Sequence, residues 1–169
     1  MTDSFIPALG RIPIRHLSPR VPEDRWSSKA YVGEVVPFEA TIFREGHDLL
    51  GARLLLTDPL GRSTTYRMRQ VAAGTDRWRA EAQLSIEGAW TWRVRAFGDD
   101  WATWLHHAEV KIPARIDVDL VLATGRELLA RAGTRKIVTE AAAALADPTR
   151  SADEKLAVGM KKMIAAARQ

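Results

Sequence analysis

The sequence predicts a mainly β protein, an antiparallel β-sandwich followed by a helical segment of two to three helices. Three observations lead there. Up to about Pro113 the chain alternates apolar and polar residues with a period of two. Turn residues punctuate these runs about every dozen positions. Beyond the boundary the apolar residues recur at helical spacing, and the aromatic side chains stop: every Trp, Tyr and Phe lies between Phe5 and Trp104.

The strands follow in order. The Pro-rich beginning, with Pro7, Pro13, Pro19 and Pro22, can supply only an edge strand and a loop, because proline lacks the N–H a central ladder needs. Runs near Val35–Phe43, Ala52–Thr57 and Thr64–Val71 come next. In Arg77–Leu84 the apolar set is Trp78, Ala80, Ala82 and Leu84, against Arg77, Arg79, Glu81 and Gln83. In Thr91–Phe97 it is Trp92, Val94 and Ala96, led in by Trp90, against Thr91, Arg93 and Arg95. Such alternation gives a strand one buried and one wet face. Ala102–Ile112 also reads as a strand.

The connectors carry turn chemistry. Asp58-Pro59-Leu60-Gly61 offers a fixed φ at proline and a positive one at glycine; Ala73-Gly74-Thr75-Asp76, Glu87-Gly88 and Gly98-Asp99-Asp100 mark the other breaks. Short antiparallel strands at this spacing suggest immunoglobulin-like topology. Residues 1–113 thus form the sandwich domain, and 114–169 a helical segment.

In that segment Val118, Val121, Leu122, Leu128 and Leu129 keep helical intervals, although Gly125 weakens the middle. A second helix is expected from Thr134 to Ala146 on Ile137, Val138, Ala141 and Leu145, stopped by Asp147-Pro148. Ser151 and Glu154 form a capping box for a third. Its stripe is Leu156, Met160, Met163 and Ile164, which at this spacing means core packing. No Gly or Pro follows Met163, so the sequence is expected to end inside a larger structural unit.

Composition narrows the function. With 169 residues the chain is too short for a catalytic (β/α)₈ barrel of about 250. The absence of cysteine excludes a disulfide framework, thiolate metal sites and a cysteine nucleophile. The net charge of +4, from 25 basic and 21 acidic residues, includes no Lys/Arg block, so no nucleic-acid partner is expected. No segment approaches the roughly 18 consecutive apolar residues of a membrane span, and the N-terminus lacks a signal-peptide run. A soluble, cytoplasmic protein without membrane contact is expected.

Candidate sites are sparse. Glu45-Gly46-His47-Asp48 could be a fragment of a metal or His–Asp site. However, His16, His106 and His107 have no ligand spacing, no GxSxG nucleophile is present, and the adjacent His106 and His107 would point to opposite faces of a strand. The four residues read instead as a hairpin connection, with Gly46 at positive φ and Asp48 bonding the turn backbone. No catalytic, cofactor-binding or metal-ligating residue is assigned, and no cofactor. Of the six tryptophans, Trp78, Trp90, Trp92 and Trp104 sit on apolar phases and are expected to be buried; Trp26 and Trp101 are the candidates for exposure and for stacking on sugar. Arg67, Arg69, Arg77, Arg79, Arg93 and Arg95 form alternating basic rows, which Glu39 and Glu81 would dilute.

Three separated stretches carry a resemblance: Ile42–Asp48 ("IFREGHD"), Ala73–Trp78 ("AGTDRW") and Ala102–Leu122 ("ATWLHHAEVKIPARIDVDLVL"). From about Arg11 to Ala132 the chain resembles the N-terminal region of the bacterial α-1,4-glucan:maltose-1-phosphate maltosyltransferases, which are related to the α-amylases. The resemblance implies a cytosolic enzyme that passes maltosyl units, with retention, from maltose 1-phosphate to α-glucan ends. It further implies that the sandwich with its helical insert is non-catalytic, contributes to a homodimer and packs on a catalytic barrel that holds the Asp and Glu. It also implies that 114–169 are part of an incomplete inserted bundle, with a further sandwich strand after the helical insert; this chain stops first, so an uncovered sheet edge and self-association are expected. Two other readings stand beside this one, a glucan-binding module built on the tryptophans and a stand-alone protein-interaction domain built on the arginine rows.

Overall fold

The computed structural model describes residues 12–21, 26–133 and 136–166, with backbone alone for residue 137 and for 160–166. The chain divides into two compact units, Met1–Gly98 and Asp99–Gln169.

Among the described residues the first unit has six strands: β1 (Ile14–Ser18), β2 (Val35–Ile42), β3 (Leu50–Thr57), β4 (Ser63–Gln70), β5 (Arg77–Gln83) and β6 (Thr91–Gly98). They form one antiparallel sheet in the order β1-β2-β5-β4-β3-β6. The sheet curls at its middle. Only Arg69↔Arg79 and Gln70↔Trp78 join β4 to β5, whereas β2 pairs with β5, and β3 with β6, along nearly their whole lengths. Two three-stranded layers result, β1-β2-β5 and β4-β3-β6, in a sandwich-like arrangement. The alternation read from sequence points inward as expected: Phe38, Ala40 and Ile42 of β2, Leu54 and Leu56 of β3, Met68 of β4, and Trp78, Ala80 and Ala82 of β5 are buried in one cluster. The Pro-rich start yields β1, which among the described residues pairs only with β2 and is an edge strand.

The second unit holds α1 (Asp100–Lys111), α2 (Val118–Arg131), α3 (Lys136–Ala146) and α4 (Ala152–Ala166), each packed on the next. Its core is Trp104, Ala108 and Ile112 of α1, Val121, Leu122 and Leu129 of α2, Val138, Ala141 and Leu145 of α3, and Leu156 of α4. Asp147-Pro148 ends α3 as expected, with Asp147 Oδ1 accepting from Thr149 N at 2.9 Å. The capping box is formed: Ser151 N donates to Glu154 Oε2 at 2.8 Å, and Glu154 N to Ser151 Oγ at 3.3 Å. The expected contributions of Thr134 and of the Ile137, Met160, Met163 and Ile164 side chains fall outside the described residues.

The structure corrects one element. Ala102–Lys111 is helix, not strand, with Ile112 its C-cap, so among the described residues the helices number four, and the helical unit begins at Asp99. Trp104, Ala108 and Ile112 fit a period of two as well as one of four, and the ambiguity is resolved by capping and packing. Asp99 caps the helix, Oδ1 accepting from Ala102 N at 2.9 Å. Trp104, Ala108 and Ile112, four apart, are all buried, whereas Val110 on the same alternating phase is 59% exposed.

Gly125, which as a helix interior residue looked only like a weakness, has a packing role. A Cβ there would stand 2.3 and 2.6 Å from indole carbons of Trp104. The missing side chain lets the indole lie against α2, where Trp104 Nε1 donates to Val121 O at 2.6 Å.

Candidate functional site

The Arg44–Asp48 segment is an exposed connection between β2 and β3. Gly46 takes φ 108°, as expected. Asp48 does not bond the turn backbone; its Oδ2 accepts from Arg44 Nη2, closing the turn as an ion pair. The histidines do not converge on it. His16 faces Thr41 Oγ1 at 3.3 Å from β1. His106 and His107 are both exposed on α1, a helix rather than the expected strand, with ring centroids 6.2 Å apart. Among the described residues no cluster of His, Cys, Asp or Glu could hold a metal ion.

Two other features are more substantial. The first is a groove of about 870 Å³ on the side of the sandwich away from the β4–β5 junction. Its floor is apolar, made of Leu17 from β1, Val36 and Phe38 from β2, Leu56 from β3, and Trp92 and Val94 from β6. Phe38 meets Trp92 edge-on, centroids 5.2 Å apart. Trp90 lies at one end, fixed by Nε1 donating to Ile86 O at 3.0 Å. Trp90 and Trp92 are therefore only half-buried, while Trp78 and Trp104 are buried as expected. Trp26, expected to be exposed, is 74% exposed and lines the groove wall. Trp101, the other candidate for exposure, is half-buried against Trp104 at 4.7 Å. Arg20, Lys29, Arg93 and Glu34 are the charged groups on the rim, and Glu34 Oε2 accepts from Tyr31 N at 2.8 Å. The sequence could not show this groove, because a strand's phase tells inside from outside but not whether a sandwich is closed along its side.

The second feature is the outer face of β4-β3-β6. The expected basic rows divide into two sorts. On β5, Arg77 Nη2 donates to Glu39 Oε2 at 2.6 Å and Arg79 Nη2 to Glu81 Oε1 at 2.6 Å, so Glu39 and Glu81 do dilute that row. They do not reach the other layer. Across it Arg67 pairs in register with Arg53, and Arg53 with Arg95. Arg53 belongs to this row and was not among the arginines read from sequence, since the register that aligns it is a tertiary fact.

The turns between these strands are held by local polar bonds. Asp58 Oδ1 accepts from Leu60 N and Arg62 N, both at 2.9 Å, and Oδ2 from Arg62 Nε at 2.7 Å. Burial raises the Asp58 pKa, but these bonds outweigh it and the net displacement is downward.

The profile of the family described as "Alpha-1,4-glucan:maltose-1-phosphate maltosyltransferase, domain N/S" matches residues 10–169. The chain belongs to this domain N/S family. It is 42% identical over 164 residues to each of two α-1,4-glucan:maltose-1-phosphate maltosyltransferases, 1 and 2, of Streptomyces coelicolor; the match covers 92% of this chain and 24% of either relative. It is 35% identical over 169 residues to the maltosyltransferase of Arcanobacterium haemolyticum, covering 95% of this chain and 24% of that protein. The chain thus spans about a quarter of the length of these curated relatives. Within the domain N/S chain, the three stretches that carried the resemblance have structural places. Ile42–Asp48 is the β2–β3 connection, Ala73–Trp78 turns from β4 into β5, and Ala102–Leu122 runs through α1 into α2.

Proposed function

We propose that this chain is the non-catalytic N-terminal part of a cytoplasmic maltosyltransferase, an immunoglobulin-like sandwich with helices that serves dimerisation and supports a catalytic barrel. The longer protein would transfer maltosyl units from maltose 1-phosphate to α-glucan. The observation that carries this reading is the family match along residues 10–169.

Dimerisation is supported by apolar side chains left uncovered on the helical unit, Val110, Ile116 and Leu120, at 59%, 52% and 65% exposure. Sedimentation velocity tests it. A dimer is expected for the unaltered chain and a monomer for Leu120→Glu with unchanged circular dichroism. A strictly monomeric unaltered chain at high concentration would contradict the dimer.

The groove favours a second reading, contact with α-glucan. Trp90, Trp92 and Trp26 line the groove, and indole rings stack on sugars. Titration with maltooligosaccharide should quench tryptophan fluorescence saturably, and Trp92→Ala should abolish the response. A flat trace at millimolar sugar would remove this reading and leave the scaffold role untouched.

A further inference from the structure

The outer face of β4-β3-β6 has an unbalanced charge. Its outward phase carries Arg67 and Arg69 on β4, Arg53 on β3, and Arg93 and Arg95 on β6, and not one Asp or Glu. These five arginines more than account for the chain's formal net charge of +4. Among the described residues none of them forms an ion pair, although Arg77 and Arg79 on the neighbouring strand each have a glutamate.

The register makes the imbalance costly. Arg67, Arg53 and Arg95 stand directly opposite one another on three adjacent strands. Directly opposed side chains lie about 5 Å apart at Cβ, and like charges in such pairs destabilise a sheet. Of the three, Arg53 has a packing partner for its guanidinium, the Phe97 ring of β6, whereas no such contact is found for Arg67 or Arg95 among the described residues. The same chain places Glu39 and Glu81 beside Arg77 and Arg79, so it uses the ordinary remedy one strand away and omits it here.

The face also has an apolar centre. Phe97 on β6 lies over Gly51, where an added Cβ would come within 2.5 Å of its ring. The Arg53 guanidinium sits 5.4 Å from the centre of the same ring. Phe97, Arg53 and Arg95, with Leu55 and Thr65, line a shallow depression of about 310 Å³. An aromatic anchor among arginines is the composition of protein interface cores.

We propose that this face docks the acidic surface of a folded protein partner, whose carboxylates meet the Arg67–Arg53–Arg95 row while an apolar side chain enters the depression beside Phe97. Guanidinium groups suit carboxylates, which they bind bidentately. The patch is also bounded along the strands. Asp58 and Glu87 occupy turns at one end, and Glu45 and Asp48 lie in the connection at the other. A nucleic acid needs a basic track that continues past such ends, whereas a compact acidic surface does not.

The test uses the 169-residue chain and a fluorescein-labelled glutamate-rich peptide, followed by anisotropy. Saturable binding is expected, weakening about tenfold or more between low and physiological salt. Arg53→Gln with Arg95→Gln should weaken binding about tenfold or more, and Arg77→Gln with Arg79→Gln should leave it within about twofold. Absent binding, equal losses in both double variants, or tighter binding of a charge-matched oligonucleotide would overturn the proposal. A second measurement separates docking from a role in the fold. Arg67→Gln alone, which removes one like charge opposite Arg53 and leaves the Arg53–Phe97 contact in place, should raise the melting temperature at low salt by about 2 °C or more, an advantage that fades at high salt. A lowered melting temperature would mean that the row serves the sandwich itself, and would overturn the proposal.

Discussion

Replacing Gly125 by alanine sets two physical effects against each other. In an exposed helix interior the change stabilises by about 1 kcal/mol, because alanine has the higher helix propensity. Here the new Cβ would lie 2.3 and 2.6 Å from two indole carbons of Trp104 and 3.1 Å from Leu145 Cδ1. Ordinary carbon–carbon contact is about 3.5–4.0 Å, so the indole has to retreat by more than 1 Å. It has little room to do so, being 5% exposed and tied to Val121 O. Overpacking of this kind costs about 1–3 kcal/mol, and loss of the buried indole hydrogen bond adds about 1–3. The cost exceeds the propensity gain throughout these ranges, and a net destabilisation of about 1–5 kcal/mol is expected. Urea unfolding followed by far-UV circular dichroism measures it. Trp104→Phe, which removes the clashing ring carbons, should make Gly125→Ala far less harmful in the double variant, a coupling that a thermodynamic cycle reads directly. A Gly125→Ala chain as stable as the original would show that α2 does not pack on Trp104 as described.

Other outcomes follow from the two cores and from α4. Leu54 of β3 is fully buried, so Leu54→Ala should cost about 2–5 kcal/mol in chemical denaturation; a loss below about 1 would mean that the layers do not close over it. The Glu154 carboxyl is held below its ordinary pKa, chiefly by the Ser151 N–H it accepts. Its folded-state pKa is thus depressed, and the stabilisation is complete above the unfolded-state value and lost as pH falls through the folded one. Glu154→Gln should flatten the acid limb of helical unfolding measured by circular dichroism. An acid limb identical in the variant would show that the capping box contributes nothing.

Much of the sandwich was legible because half-buried strands write their phase into sequence. Trp78, Ala80 and Ala82 could be placed inside from alternation alone, and the Pro-rich start could only be an edge. Ala102–Ile112 was misread because a short apolar run satisfies both periods, and what decides it, Asp99 as N-cap and the packing of Trp104 on α2, is partly tertiary. The same limit hid the two surface features. Arg93 and Arg95 were visible as an outward row, but their alignment with Arg53 and Arg67 depends on strand register. Trp90 and Trp92 were placed on the inward phase, yet they border a groove because the sandwich is open beside β6. The reading of Glu45-Gly46-His47-Asp48 as a turn held at Gly46, while the Arg44–Asp48 bond took the place of the expected backbone contact.

The most direct measurement is phosphate release. The 169-residue chain is incubated with maltose 1-phosphate and glycogen, beside a full-length maltosyltransferase of the family as positive control. The chain alone is expected to release no phosphate above background while the control turns over. Sustained release by the chain, lost on Glu34→Gln, would place a catalytic group in the groove and contradict a scaffold whose chemistry lies elsewhere.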